Sequence, residues 1–399
     1  MTTKLLPCLL GCLTLAPQLF ARQDVLTIRA SKAWISPERP ADNVAIEITR
    51  GKVASVRDGQ KIDDKRENTL RSFPGGVITA GFVDAHRAPL QSDGVGERAE
   101  SFTPELSALF AYDPWSARWK TLRQRGVTSA IVAGGNENVG AGQSAFVKSA
   151  SVASATDSDA YVKFSLAAEA IQRDRRPTSL LGALELVREG YTSLEGKPGS
   201  TLTPTQRVLV STIGGARRVA IAARERREIL GALELLSSWQ LQGCLIGADD
   251  AAECIDELAQ NRTPILLPPL GLDASRKAMD LPVLLESKRI PFAFTGESID
   301  ERAMSSLQTS LALAVREGVT PKTALASVTT TPASIAGRSD RVGSLQIGRD
   351  GDLIVWSGEP WDLRSRILLV VQDGKIVFEA KAIAAQSDAE STSTENDAR

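Results

Sequence analysis

Apolar strands that alternate with helical stretches over residues 77–337, bracketed by two β-rich ends, predict an α/β protein. The expected architecture is a (β/α)8 TIM-like barrel with a small composite β domain to which both chain ends contribute. The alternation implies parallel βα units, and a central region of about 260 residues has the size of such a barrel. Neither β-rich end has enough strands to bury a core alone, which predicts that the two combine. The expected divisions are 1–21 as a signal peptide, 22–76 and 341–380 as the two parts of the small domain, 77–340 as the barrel and 381–399 as a disordered tail.

The elements follow in order. Lys4 precedes an apolar stretch over residues 5–20, and Ala21 offers a small residue for cleavage before Arg22. Pro7, Gly11 and Pro17 interrupt a stretch already short for a bilayer crossing, so it reads as a secretory signal peptide and not as a stable membrane span. The expected location is periplasmic or extracellular. Leu9-Leu10-Gly11-Cys12 resembles a lipoprotein box, but a lipid-modified cysteine should end the apolar run, which here continues to Phe20. Short β-type runs then occupy 25–29, 44–49 and 52–57, broken by Pro37, Pro40 and Gly51. The same texture returns at 352–356 and 367–371, followed by the turn Asp373-Gly374 and the run 375–378.

Between them, apolar strands are expected from Val77 onward and at 128–133, 161–166, 218–222, 243–246, 264–267 and 291–295. The intervening helices show apolar stripes, as in Ile229, Leu233 and Leu236, Ile255 with Leu258, and Leu307, Leu311 and Val315. Such stripes pack against a sheet. The tail from Ala382, rich in Ser, Thr, Asp and Glu, has too few apolar residues to pack.

Apolar residues at 42% and charged residues at 24% are ordinary for a globular chain, and a net charge of -1 gives no electrostatic reason to expect nucleic acid or an anionic membrane as partner. Cys8 and Cys12 would leave with the signal peptide. Cys244 and Cys254 remain, at spacings that match no zinc motif, and are expected as buried free thiols.

The stretch Val77-Ile78-Thr79-Ala80-Gly81-Phe82-Val83-Asp84-Ala85-His86-Arg87-Ala88 contains the only histidine of the 399 residues. An apolar run ending in a polar cluster reads as a buried parallel strand that delivers Asp84, His86 and Arg87 to the carboxyl edge of the sheet, where α/β enzymes place their chemistry. This stretch resembles the first strand of the amidohydrolase superfamily, where a Gly-Phe-Val-Asp-Ala-His-x-His segment supplies two metal ligands. His86 matches the first ligand, and Ala88 stands at the second.

The resemblance extends to Thr331-Pro332-Ala333-Ser334-Ile335-Ala336-Gly337 and to Val342-Gly343-Ser344-Leu345 through Gly348-Arg349-Asp350-Gly351-Asp352-Leu353-Ile354-Val355. It is similar to the superfamily signature in which the last barrel helix runs back into the small sheet. The closest texture is that of imidazolonepropionase-like members. The resemblance implies a metal-dependent hydrolase barrel flanked by a small β-sandwich, with histidines on strands one, five and six, a carbamylated lysine or glutamate on strand four in some members, and an aspartate on strand eight holding one or two metal ions that activate water.

Carried over residue by residue, the resemblance puts Arg224 at the strand-five histidine, a position near Gly247 at the strand-six histidine and Glu297 at the strand-eight aspartate. Zinc takes three or more protein ligands. His86 and Glu297 supply two, and Asp84 a third only if it turns toward the barrel mouth. No metal cofactor is therefore expected, with zinc as the alternative. Arg224 and Glu297 are expected to pair across the mouth near His86, with Arg224 and Arg87 as binding residues.

Lys163 stands where a carbamylated lysine is conceivable, but a solvent-facing strand lysine is the expectation. The glycine-rich segment 134–142 lacks a phosphate-loop ending and reads as a wide loop at the barrel mouth. Ser144 and Ser211 have no Gly-x-Ser-x-Gly elbow, and Arg224-Glu225-Arg226-Arg227-Glu228 reads as a solvated helix start. Missing ligands imply an exported, non-catalytic homologue that binds a small-molecule ligand or an active amidohydrolase relative. Descent implies the alternative, a hydrolase of carbon–nitrogen bonds in cyclic amide-like substrates in which Asp84, His86 and Glu297 are catalytic.

Overall fold

The computed structural model describes residues 25–59, 70–87, 96–149, 160–296 and 307–380. The expected signal peptide, the expected disordered tail 382–399, Ala88 and Glu297 lie outside them. The strands are β1 (Val25–Ser36), β2 (Arg39–Thr49), β3 (Lys52–Arg57), β4 (Leu70–Ala80), β5 (Phe82–Arg87), β6 (Val127–Val132), β7 (Gly140–Gln143), β8 (Ala145–Lys148), β9 (Val162–Ser165), β10 (Val219–Ala223), β11 (Gly243–Gly247), β12 (Ile265–Leu267), β13 (Phe292–Phe294), β14 (Leu353–Trp356), β15 (Ile367–Gln372) and β16 (Lys375–Glu379). The helices are α1 (Ala117–Gln124), α2 (Leu180–Thr192), α3 (Pro204–Thr212), α4 (Arg226–Ser238), α5 (Ile255–Asn261), α6 (Arg276–Ser287), α7 (Leu307–Glu317), α8 (Pro321–Ala326) and α9 (Thr330–Ile335). Among the described residues no helix is long and apolar enough to cross a membrane.

Strands from both chain ends share one seven-stranded sheet in the order β16-β15-β14-β4-β1-β2-β3. Its joint is the antiparallel pairing of β14 with β4, which sets Leu353 opposite Ala80 and Trp356 opposite Val77. The alternation of strand side chains gathers Ile28, Ile46, Phe73, Ile78, Leu353 and Leu369 into one core. The expected first barrel strand is thus divided. Val77 to Ala80 belong to this sheet, and β5 begins only after Gly81, whose N–H donates to the Asp352 carbonyl at 3.0 Å. A Cβ at residue 81 would stand 2.2 Å from Thr128 Oγ1, so only glycine lets the chain cross there.

The βα region holds two further sheets, β5-β6-β8 and β13-β12-β11-β10-β9-β7. Strands β9 to β13 run parallel in sequence order, as do β5 and β6. Strand β7 falls in the segment expected as loop, because Gly140-Ala141-Gly142 has little β propensity. It forms because its backbone pairs antiparallel with β9, as that of β8 does with β6. Ser144 links β7 to β8, its Oγ donating to the Tyr161 carbonyl at 2.8 Å. At the other seam, among the described residues, no ladder joins β13 to β5. The chain at Ser327-Val328 sits there instead, accepting N–H groups from Phe294 and Val83 at 3.0 and 2.9 Å.

Side chains alternate between two cores. Val162, Phe164, Val219 and Ile221 face the layer that contains Ile229, Leu233 and Leu236 of α4. Tyr161, Ala220, Ala222, Ala293 and Phe146 line the other. Both faces of these strands are therefore covered, as parallel sheets require. Helix α4 starts with a capping box between Glu225 and Glu228, and the latter is buried rather than solvated as expected. Cys244 and Cys254 are free and buried, as expected.

Candidate functional site

The polar end of β5 lies against β9 and β13. Asp84 is fully buried; its Oδ1 accepts the Gly296 N–H at 3.0 Å, and its Oδ2 meets Arg87 Nε and Nη2 at 2.9 and 2.8 Å. Arg87 Nη2 also donates to the Gly296 carbonyl at 3.0 Å. Asp84 and Arg87 thus clamp the backbone after β13 to the end of β5. Glycine is needed at 296, since a Cβ there would fall 2.5 Å from Arg87 Nη2 and 2.6 Å from Asp84 Oδ2.

His86, 1% exposed, is held from β9. Its Nδ1 lies 2.9 Å from the Tyr161 hydroxyl, which donates to the Ala85 carbonyl at 3.1 Å, and its Nε2 lies 3.4 Å from Lys163 Nζ. Lys163 Nζ also donates to the Gly134 carbonyl at 2.6 Å. The Tyr161 proton goes to the Ala85 carbonyl, so the hydroxyl oxygen accepts from Nδ1–H and the Nε2 lone pair is left facing Lys163 Nζ.

The expectation of a solvent-facing Lys163 is overturned, because this side chain is fully buried. The reason is topological. Strand β9 lies between β10 and β7 with both faces covered, so no position on it reaches water. Tyr161 carried no functional assignment from the sequence; the available signal was its i, i+2 relation to Lys163, which places both on one face of a strand. The glycine-rich segment, expected as a loop at the mouth, supplies the Gly134 carbonyl that accepts from Lys163.

Arg224 follows β10 and is about half exposed at 52%, pairing with Asp249 Oδ2 at 2.9 Å and Glu169 Oε1 at 3.4 Å. Burial works against its charge, but the two carboxylates outweigh it and raise its pKa above the ordinary arginine value. It does not join Asp84 and His86, and its expected partner Glu297 lies outside the described residues. The Ser144 hydroxyl is taken up by the Tyr161 backbone, and Ser211 by the Val208 carbonyl at 2.6 Å, so neither is poised as a nucleophile.

Among the described residues the donor set does not fit a divalent metal ion. Both nitrogens of the single imidazole have protein partners, the Nε2 lone pair faces Lys163 Nζ, and both oxygens of Asp84 are engaged. Among the described residues no group of three or more His, Cys, Asp or Glu side chains is placed to hold such an ion. The arrangement can hold and relay protons among the buried Tyr161, His86 and Lys163 side chains. Tyr161→Phe should remove the hydroxyl that meets His86 Nδ1 and the Ala85 carbonyl and reduce unfolding free energy by about 1–3 kcal/mol, measured by urea denaturation.

Residues 244–387 match the amidohydrolase family model. That span contains the Thr331-Pro332-Ala333 and Gly351-Asp352-Leu353 segments. No match is found among curated proteins. Among solved structures, an amidohydrolase from Thermotoga maritima MSB8 is similar with a TM-score of 0.78 and 23% identity, over 89% of this chain and 100% of that one. A β-aspartyl dipeptidase from Fervidobacterium islandicum AW-1, in complex with a β-Asp-Leu dipeptide, superposes with a TM-score of 0.59 and 13% identity, covering 90% and 97% of the two chains. Ochratoxinase from A. niger gives 0.56 and 15%, covering 90% and 96%. These likenesses show an α/β fold of the TIM-barrel type, and the amidohydrolase family model is matched by the C-terminal part of the chain, residues 244–387.

Proposed function

We propose that this is an exported amidohydrolase-superfamily protein that has exchanged most of its metal ligands for a protein-only polar cluster, and that it acts as a non-catalytic homologue binding a small-molecule ligand or an active amidohydrolase relative. The observation that carries the reading is Lys163 Nζ, set 3.4 Å from Nε2 of the only histidine. The amino group stands where an imidazole-bound metal ion would have to sit. The same proposal includes a barrel closed at the β13–β5 seam by Ser327-Val328, and a seven-stranded sheet folded over its own core as a sandwich.

Purified protein is expected to contain no stoichiometric zinc or manganese by elemental analysis, and to leave cyclic amides and β-aspartyl-leucine unhydrolysed. One or more zinc ions per chain, lost on His86→Ala, would overturn the reading. Export rests on Lys4 and the apolar stretch 5–20. The exported protein should have an intact mass beginning near Arg22, and a mass that still includes Lys4 would refute cleavage.

One observation favours a second reading, a reduced hydrolase of carbon–nitrogen bonds. Tyr161, His86 and Lys163 form a continuous chain of proton-carrying groups, which general acid-base chemistry uses. In that case Lys163→Met abolishes hydrolysis while the fold persists, whereas the non-catalytic reading expects no hydrolysis to lose.

A further inference from the structure

We propose a binding site for a small aliphatic monocarboxylate at the end of the parallel strands opposite Asp84 and His86. A pocket of about 400 Å³ opens where β10, β11 and β12 begin. That volume lies within the range of small-molecule sites, about 300–1,000 Å³. Arg218 is the only charged residue in its lining. Among the described residues this guanidinium has neither a hydrogen bond nor an ion pair, although most other arginines near the barrel ends are committed. Its place depends on Gly337, at a φ of +67°, where a Cβ would stand 2.3 Å from Arg218 Nη1.

The rest of the wall divides by chemistry. Leu233 and Leu236 of α4, Leu241 and Ile335 of α9 form an apolar side. Cys244, 2% exposed, is part of the lining; burial pushes its pKa up to about 12, against the opposing charge of Arg218. One planar fork facing an apolar wall matches a carboxylate with a short aliphatic tail. A phosphate dianion would call for a second cation, and a cationic ligand for a carboxylate; the lining has neither. The proposal holds for either reading of the opposite strand ends, because no residue is shared.

The test is calorimetric titration of the full exported protein with hexanoate, compared with hexylamine and inorganic phosphate. Hexanoate should bind saturably and outcompete both comparison compounds. Arg218→Gln should weaken it at least about tenfold, as loss of a charge-assisted hydrogen bond predicts. Ser237→Trp, which fills the pocket without touching the charge, should abolish it. Absence of saturable hexanoate binding, equal affinity for hexylamine or phosphate, or undiminished binding in both variants would overturn the site.

Discussion

Lys148→Met is expected to lower unfolding free energy by about 3–5 kcal/mol, the cost of removing one partner from a buried charge cluster. Lys148 ends β8 and is fully buried; its Nζ meets Asp350 at 3.1 Å, Asp352 at 2.5 Å and Asp373 at 3.1 Å. Asp350 also takes Lys52 at 2.5 Å and Arg341 at 3.1 Å. This cluster ties the βα region to the C-terminal segment that enters the composite sheet. Without the ammonium, three carboxylates would face one another with two peripheral cations.

The pH dependence follows from the directions of the shifts. Burial disfavours the Lys148 charge, but its three carboxylates outweigh burial and raise its pKa. Its contribution is therefore complete below the unfolded lysine pKa, about 10.4, and is lost as pH rises through the higher folded value. Burial also opposes ionisation of Asp350, yet Lys148, Lys52 and Arg341 prevail and hold it below the usual carboxylate range. That contribution is present above about pH 3.9 and is lost as pH falls through the lower folded value. Asp373 goes the other way, raised by burial and by Asp352, so protonating it relieves repulsion. Chemical denaturation across pH should show the Lys148→Met deficit shrinking toward acid, where the unpaired carboxylates take up protons. A deficit below about 1 kcal/mol at neutral pH, the level of an exposed pair, would contradict the account.

Asp84→Ala should cost a similar amount, about 3–5 kcal/mol, because it strands the Arg87 guanidinium, only 12% exposed, and leaves the Gly296 N–H without its acceptor. If Asp84 serves the seam and not catalysis, Arg87→Met in the same chain should recover part of the loss. A double-mutant cycle by urea denaturation then gives a coupling energy well above the scatter of independent sites, about 0.5 kcal/mol. Simple additivity of the two substitutions would mean that the clamp contributes nothing as a pair.

Much of the architecture was legible because it is written in local pattern. The expected strands at 128–133, 218–222 and 264–267 fall within one residue of β6, β10 and β12 at their starts. The stripe Ile229, Leu233, Leu236 is the buried face of α4. Strand β7 was not legible, since glycines carry no β signal and only the neighbouring backbone makes it a strand. Nor was the break at Gly81, which arises from the approach of Thr128 from another strand.

The sequence by itself determined that one histidine is available and that it stands at the end of a strand in a superfamily-like segment. That count limits the chemistry whatever the fold. Tertiary structure decided its surroundings: His86 meets Tyr161 across a separation of 75 residues and Lys163 across 77. The order of strands in the sheets put Lys163 inside and set its amino group against the imidazole. Periodicity fixes which face a side chain takes within its own strand, but what that face meets depends on non-local pairing, and burial then converts those encounters into obligatory hydrogen bonds and ion pairs.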